Sequence, residues 1–440
     1  MHKNIIIFAL GLIAACCAQQ PAKNKTSAPA AAGTIVLRGG TLLTITHGVI
    51  EHGVLVMQNG RITAIGGAST QVPRDAKVID VTGMTVYPGL IDSETHLGLV
   101  EIAAERSTVD TQEESDEIMP HMHVYDAFHA ESVLIPVARL NGITNAIVAP
   151  ANGDTLPGQD TFIQLAGDTA EEMLKVRDIA MPLNFTGLQR RNPTFETSKY
   201  PSTRMGLATQ LRQAFLDAQD YASKWARYEK KKTSSEDKDK SAEPPKRDLK
   251  LEALLPYIRG QKPVVLAAEE ANDLRTALDM AQEFHLKVIL NRVSHSASLL
   301  DQIASTGFPV IVGPIYEAPK EWERYDAVFK LPAELAKRGV KIAFASYDAH
   351  RVRDLPYAAG YSVAFGLPHD EALKALTLNP AQMWGVDKDL GSLDTGKMAN
   401  VVVANGDPLD VKTDVKHVFI AGREIPLTSK QTELRDQYSQ

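Results

Sequence analysis

Cysteine is nearly absent from this 440-residue chain, whose two cysteines, Cys16 and Cys17, are adjacent and close to the amino terminus. The rest of the chain therefore has no disulfide framework, no thiolate metal site and no thiol nucleophile. An excess of positive charge is also missing, because 47 Lys and Arg residues stand against 54 Asp and Glu residues. This balance of charge gives no indication of a nucleic-acid-binding surface. Any metal ion must be held by His, Asp, Glu or a modified Lys.

The first 17 residues have the pattern of an export signal. Lys3 precedes an apolar run from Ile5 to Ala15, which is short for a transmembrane span. Ile13-Ala14-Ala15-Cys16 resembles a bacterial lipobox, in which the cysteine is lipidated. The alternative is cleavage after the small residues, which releases a soluble protein. Both alternatives predict export across the inner membrane, to the periplasm or to a lipid anchor, with residues 18–33 as a flexible tether.

Two flanks of the chain have the residue composition of β-strands. Short runs rich in Val, Ile and Thr occupy residues 34–88, and similar runs return over residues 399–425. Gly pairs and the Asn59-Gly60 dipeptide separate the runs, which is typical of β-hairpins. We therefore predict one small composite β-sandwich domain, formed by both chain ends from residues 34–88 and 390–426.

Residues 89–389 alternate between apolar strand candidates and helix-like segments. This alternation predicts parallel βα units, and about 300 residues is the size of an α/β fold of the TIM-like (β/α)8 barrel type with insertions. A doubly wound α/β sheet is the alternative that spacing alone leaves open. Residues 229–250 are charged and almost without apolar side chains, so we expect a solvated or disordered insertion there.

One segment connects the first flank to the barrel: Pro88-Gly89-Leu90-Ile91-Asp92-Ser93-Glu94-Thr95-His96-Leu97-Gly98. It resembles the sequence PG[LF]IDxHxHxG, which ends the first barrel strand in the amidohydrolase superfamily. Residues 141–167 and 355–403, the latter with the run LTLNPA and then GSLDTGKMANVVV, are similar to later parts of the imidazolonepropionase-related subgroup. The resemblance covers residues 34–426.

The resemblance implies a hydrolase of non-peptide carbon–nitrogen bonds, with one or two metal ions at the carboxyl ends of the barrel strands. Such a metal lowers the pKa of a bound water and polarises a carbonyl group. An Asp on the last strand takes the proton of the water and passes it to the leaving group. The implied ligands are two His after strand one, a carboxylated Lys or Glu on strand four in many members, and one His each on strands five and six.

This chain keeps only part of that ligand set. His96 matches the second His of the first-strand pair, and Glu94 stands where the first is expected. A carboxylate can ligate zinc or manganese, so Glu94 is either a changed ligand or the remnant of a lost site. Ala267 and Arg292 match the His positions of strands five and six, and neither side chain can ligate, since Arg has no lone pair to offer. His295 could substitute only if its loop folds back.

These residues predict a degenerate metal site. It holds one divalent ion, zinc or manganese, weakly through His96, Glu94 and Asp348, or it holds none. Asp348 is the predicted catalytic residue, acting as general base and then general acid. The predicted substrate-binding residues are Arg292, His350 and Gln159. Arg292 would hold a carboxylate or a developing oxyanion of the substrate, and Gln164 is a weaker candidate where relatives often have Lys.

Two functions follow from the sequence. The first is metal-assisted hydrolysis of a C–N bond in a cyclic amide or peptide-like small molecule. The alternative is a non-catalytic paralogue that has lost its metal and acts as a binding or partner subunit, in a homo-oligomer or beside an active homologue. Whether the chain is an enzyme stays open at this point, and no nucleic-acid partner is predicted.

Overall fold

The computed structural model describes residues 33–186, 200–233 and 243–439. The strands are β1 (Ile35–Leu43), β2 (Val49–Gln58), β3 (Arg61–Gly66), β4 (Lys77–Asp80), β5 (Thr85–Pro88), β6 (Leu90–Thr95), β7 (Ile143–Val148), β8 (Asp160–Gln164), β9 (Leu174–Asn184), β10 (Val264–Ala267), β11 (Val288–Asn291), β12 (Val310–Val312), β13 (Ile342–Phe344), β14 (Val401–Ala404), β15 (Val415–Ile420) and β16 (Arg423–Ile425).

The helices within the same ranges are α1 (Val124–Ala127), α2 (Leu134–Arg139), α3 (Ala170–Met173), α4 (Arg204–Thr233), α5 (Leu249–Ile258), α6 (Ala271–Glu283), α7 (Leu300–Thr306), α8 (Ala327–Lys337), α9 (Leu355–Ala364), α10 (His369–Leu376), α11 (Leu378–Met383) and α12 (Lys430–Tyr438). No helix in this described part of the chain is both long enough and apolar enough to cross a membrane. The predicted export signal and all of the predicted tether except its last residue lie outside the described residues.

The first sheet draws its strands from both flanks of the chain, in the order β16-β15-β14-β5-β1-β2-β3, with β4 paired to β1. β14 lies antiparallel between β5 and β15, so the carboxyl-terminal flank completes a sheet begun by the amino-terminal flank. β1 pairs with β4 along its first half and with β5 along its second half. Gly39 lies at the change of partner with φ +95°, where a Cβ would lie 2.4 Å from Thr82 Oγ1. The prediction that both chain ends build one β-domain is confirmed.

The second sheet curls into a nearly closed barrel with the order β13-β12-β11-β10-β9-β8-β7-β6. Its first and last strands approach at the seam, where Tyr347 N donates to Glu94 O at 2.9 Å. All eight strands contribute to one buried apolar cluster inside the barrel, which includes Ile91, Ile147, Phe162, Ile179, Val265, Ile289, Ile311 and Ala343. Neighbouring strand residues such as Val264 and Leu266 belong instead to the larger core of the protein. The predicted eight-stranded barrel is confirmed.

One strand departs from the predicted parallel arrangement. β8 runs antiparallel to both β7 and β9, whereas the other barrel strands share one direction. A parallel connection needs a long crossover, usually a helix, and residues 149–159 between β7 and β8 form no helix. The barrel mouth is therefore built from the carboxyl ends of seven strands and the amino end of β8.

The expected insertion at residues 229–250 is ordered at both of its ends. Residues 229–233 continue α4, and α5 begins at Leu249 after the cap Asp248, whose carboxylate accepts hydrogen bonds from the backbone of Lys250 and Leu251. Lys and Glu are good helix formers, so residues 229–233 extend the helix although they carry few apolar side chains. Residues 234–242 of this prediction lie outside the described residues.

Candidate functional site

The barrel mouth holds a buried polar group of four side chains, Glu94, Asn291, Arg292 and Tyr347, which we call the Glu94 cluster. Asn291 Nδ2 donates to Glu94 Oε2, and Arg292 Nη2 donates to Glu94 Oε1 at 3.5 Å. Tyr347 Oη donates to Asn291 Oδ1 at 2.7 Å. The Arg292 guanidinium lies over the Tyr347 ring, 4.2 Å from its centroid. Both oxygens of the Glu94 carboxylate therefore already accept N–H groups from β11 and the residue after it.

Backbone conformation fixes two members of the cluster. Arg292 has φ 54° and Tyr347 has φ 55°, which is the left-handed region that side chains other than glycine seldom adopt. Such residues cost on the order of 1–3 kcal/mol and persist only where the surrounding structure determines them. Here each left-handed residue follows a barrel strand closely and turns a large side chain into the barrel mouth.

The strand register places Asn291, and not Arg292, at the strand-six position. Ala267, the last residue of β10, pairs with Asn291, the last residue of β11. Asn291 is therefore the strand-end equivalent of Ala267, and Arg292 is the next residue along. His295 does not fold back to replace a ligand, because its Nδ1 lies 2.7 Å from Glu323 Oε2 in a buried pair.

His96 lies beside this cluster with one ring nitrogen engaged. Its Nδ1 lies 2.9 Å from the carbonyl oxygen of Ala149. Since a carbonyl can only accept, Nδ1 carries the proton and Nε2 keeps its lone pair. Burial lowers the pKa of His96, against smaller opposing effects that include the Glu94 charge. His96 thus has a lowered pKa and keeps the lone pair of Nε2 available close to the cluster.

Asp348 and His350 lie at the rim of the barrel mouth. The Asp348 side chain is 44% exposed, and its Oδ1 accepts the backbone N–H groups of His350 at 2.6 Å and Arg351 at 2.9 Å. Its backbone oxygen accepts the Thr95 hydroxyl at 2.8 Å, which ties the end of the last barrel strand to the first. Asp348 is therefore positioned by the turn that follows it and is reached by solvent.

The two predicted glutamines lie at opposite ends of β8. Gln159 is buried at the barrel mouth, where its Oε1 accepts the Tyr257 hydroxyl at 2.7 Å. Gln164 pairs with Asn145 near the amino end of β7, and so lies away from the barrel mouth. The candidate role for Gln164 is wrong in position because β8 runs antiparallel.

Two buried carboxyl groups belong to this region and were missed from the sequence. Asp160 opens β8; its Oδ1 has no hydrogen-bond partner, and burial, with the Glu94 charge second, raises its pKa well above the ordinary value. Asp92 accepts the backbone N–H of Ser346 at 3.0 Å while its Oδ2 has no partner. Burial raises the pKa of Asp92 to about 7. A charged residue opening the apolar run TFIQLA was the available signal for Asp160.

A cavity of about 320 Å³ adjoins this region, between the loop after β6 and the loop after β7. Its wall includes His121, His123 and Pro150. His123 Nδ1 lies 2.7 Å from Asp178 Oδ1, so that imidazole already has a carboxylate partner.

The residues of the barrel mouth do not fit a divalent metal ion in this arrangement. Across residues 33–186, 200–233 and 243–439, no three His, Asp or Glu side chains are grouped so that they could hold one. An ion bound to Glu94 would displace the N–H donors of Asn291 and Arg292 and lie beside a buried positive charge, and repulsion is strong where water is excluded. One oxygen of the Asp348 carboxylate, Oδ1, is already held by the backbone N–H groups of its own loop.

Comparison with known proteins agrees with the fold. The model described as Amidohydrolase family matches residues 327–425. The structure of an amidohydrolase from Thermotoga maritima is similar, with a TM-score of 0.80 and 27% identity over 89% of this chain and 99% of that one. Imidazolonepropionase from Symbiobacterium thermophilum is 25% identical over 404 residues, which are 84% of this chain and 90% of the relative. Over most of its length the chain is therefore similar to proteins of the amidohydrolase superfamily.

Other relatives share only part of their length with this chain. Amidohydrolase tasK from Hapsidospora irregularis is 26% identical over 394 residues, and the match covers 84% of this chain but 39% of tasK. A dihydroorotase from Syntrophus aciditrophicus is 38% identical over 63 residues, 15% of its length. Members of the superfamily generally use a divalent metal, which makes the composition of this barrel mouth unusual.

Proposed function

We propose that this chain is a hydrolase that opens a carbon–nitrogen bond in a cyclic amide or a peptide-like small molecule. The observation that carries the proposal is the likeness along nearly the whole barrel to a solved amidohydrolase, at TM-score 0.80 and 27% identity. The relatives named imidazolonepropionase and dihydroorotase support a cyclic substrate. They also make the non-catalytic alternative the less favoured one.

The proposed reaction is the hydrolysis of an amide by one water molecule. The oxygen of a water molecule bonds to the carbonyl carbon of the amide, the C–N bond breaks, and a proton from the water ends on the nitrogen. Asp348 is the proposed base for that proton and the acid that returns it to the leaving nitrogen. Its half-exposed carboxylate at the rim is open to water, and the unpaired Nε–H group of Arg292 is the proposed donor to the carbonyl oxygen.

No step of the proposed hydrolysis is assigned to a metal ion. The sequence predicts either a weakly held zinc or manganese ion on His96, Glu94 and Asp348 or no ion, and the N–H donors around Glu94 do not fit an ion there. The proposed location, in the periplasm or on a lipid anchor at Cys16, rests on residues 1–17 alone. So does the proposed export, while any association into oligomers rests on the family resemblance.

The first prediction tests Asp348 directly. Ring opening is followed by mass spectrometry on imidazolones, dihydropyrimidines, lactams and cyclic dipeptides. Asp348→Asn is expected to lower kcat on the substrates found by ~100-fold or more, because it removes the proton acceptor. The amide oxygen of Asn can still accept from His350 and Arg351, so the loop is expected to keep its shape.

The matched control is Asp370→Asn, since Asp370 has a side chain 91% exposed on α10. This variant is expected to keep wild-type kcat. An unchanged kcat in Asp348→Asn removes Asp348 from the mechanism. No ring opening by the wild-type protein on any of the four substrate classes contradicts the proposed function itself.

A further inference from the structure

The charge of Arg292 is buried at the barrel mouth with little compensation. Its side chain is 4% exposed and that of Glu94 is 9% exposed, and the two meet through a single contact of 3.5 Å. A buried ion pair repays its lost hydration only where the geometry is good and further hydrogen bonds satisfy the remaining donors. One long contact does not meet that condition.

The donors of Arg292 are not all used. Its Nε is buried and has no hydrogen-bond partner, and a buried unpaired donor costs about 1–3 kcal/mol. Tyr347 holds the guanidinium in place by stacking, at 4.2 Å from the ring centroid, but a ring face accepts no strong N–H bond. An oxygen atom supplied by a bound molecule would satisfy Nε.

Arg292 also contacts the carboxylate that a metal ion would need as a ligand. It shares Glu94 with Asn291, whose strand-end position matches that of Ala267 on the neighbouring strand. These are the two strands from which the superfamily resemblance implies imidazole ligands. At the ends of these strands this chain has the methyl group of Ala267, the amide of Asn291 and the guanidinium of Arg292. The guanidinium is a fixed positive charge.

We propose that the guanidinium of Arg292 takes the place of the divalent ion in this barrel mouth, so that the protein binds the acceptor oxygen of its substrate to Arg292 without metal. The substrate oxygen belongs to a carbonyl or a carboxylate, since both accept N–H groups and Arg suits them well. The identity of the substrate as an amide rests on the proposed function. The exclusion of metal by Arg292 does not.

The experiment measures zinc binding, which needs no turnover. Tag-free protein is dialysed to equilibrium against ZnCl₂, and bound zinc is counted by mass spectrometry for the wild type, Arg292→His and Arg292→Gln. Arg292→His replaces the cation by an imidazole beside Glu94 and His96, and it is expected to bind zinc at least ~10–100-fold more tightly than the wild type. Arg292→Gln removes the charge without adding a ligand, and an intermediate affinity is expected.

Zinc bound elsewhere is separated by one more variant. Adding His96→Ala to Arg292→His is expected to abolish the gain, whereas zinc held by surface groups such as His123 is unaffected. The proposal is overturned if the wild type holds about one equivalent of zinc that Glu94→Gln releases, or if Arg292→His binds zinc no better than the wild type. Circular dichroism establishes that each variant is folded. If zinc binding follows the expectation and no substrate is hydrolysed, only the proposed function fails.

Discussion

Two neighbouring layers of the barrel interior differ in polarity: a lower layer of apolar side chains and an upper layer of polar and charged ones. In the lower layer, Ile289 of β11 packs with Val265 and Ile311 from the neighbouring strands. In the upper layer, two residues further along β11, Asn291 holds Glu94, and Arg292 follows with a buried charge. Alternate residues of a strand point the same way, so both layers are produced by one backbone pattern.

The two layers contribute to stability with opposite sign. Burial of apolar side chains in the lower layer stabilises the fold by about 1.5–3 kcal/mol for each large side chain. The upper layer buries charges, leaves Arg292 Nε and Asp160 Oδ1 without partners, and holds two residues in the left-handed region. Replacing a buried ion pair by well-packed apolar side chains is often neutral or stabilising, which agrees with the proposed binding role of the upper layer.

The largest expected effect comes from breaking the upper layer at its charge pair. Glu94→Gln leaves the Arg292 guanidinium buried without a counter-charge, and the free energy of unfolding is expected to fall by about 3–5 kcal/mol. Urea unfolding followed by circular dichroism measures this change. The double variant Glu94→Gln with Arg292→Met is expected to recover much of the loss; equal stability of the single and double variants would contradict the buried-pair interpretation.

The lower layer is tested by removing one of its side chains. Ile289→Ala removes buried methyl and methylene groups from the apolar cluster inside the barrel, and the free energy of unfolding is expected to fall by about 3 kcal/mol. Binding of a substrate analogue is expected to stay within a few-fold of the wild type, because Ile289 lies below the polar groups. Ile289→Val, which keeps most of the volume, serves as control at about 1 kcal/mol. A loss below that for Ile289→Ala would remove the distinction between the layers.

The smallest of the three effects is a pH dependence at the boundary between the layers. Burial raises the pKa of Asp92 to about 7 from 3.8. Between these values the folded protein keeps a proton that the unfolded chain has released, so the contribution of Asp92 to stability falls as pH rises from about 4 to about 7. Replacing Asp92 removes this contribution from the pH profile.

Asp92→Asn tests that direction. The stability of the variant relative to wild type is expected to improve by about 2–3 kcal/mol between pH 5 and pH 8. Asn keeps an oxygen that accepts the Ser346 N–H group. If the stability difference between Asp92→Asn and wild type is the same at pH 5 and pH 8, Asp92 is already ionised in the folded state at pH 5 and the prediction is wrong.

The sequence predicted the barrel and the composite sheet because both depend on periodicity and on which flank each strand comes from. It placed Glu94, His96, Arg292 and Asp348 in one region, and the structure brings all four to the barrel mouth. The electrostatic effect of Glu94, Arg292 and Asp348 on His96 reflects that proximity. Strand order and motif spacing were enough for this much.

What the sequence missed depends on register and direction. A one-residue choice separated Arg292 from Asn291, and only the pairing of β10 with β11 decides which ends the strand. The reversed direction of β8 moved Gln164 away from the barrel mouth and brought Asp160 to it. Both facts concern partners that are distant along the chain, where local patterns carry little information.

The placement of β14 has a consequence for the order of events during synthesis. β5 is complete once residue 88 has been made, yet its second neighbour, β14, is encoded at Val401–Ala404. Until those residues leave the ribosome, β5 presents an unpaired edge, and unpaired edges recruit other chains. The barrel residues are therefore synthesised while β5 still has an unpaired edge. A chain interrupted before residue 401 keeps that unpaired edge, which can pair with other chains. Residues 401–404 thus complete a sheet whose other strands include residues 35–88.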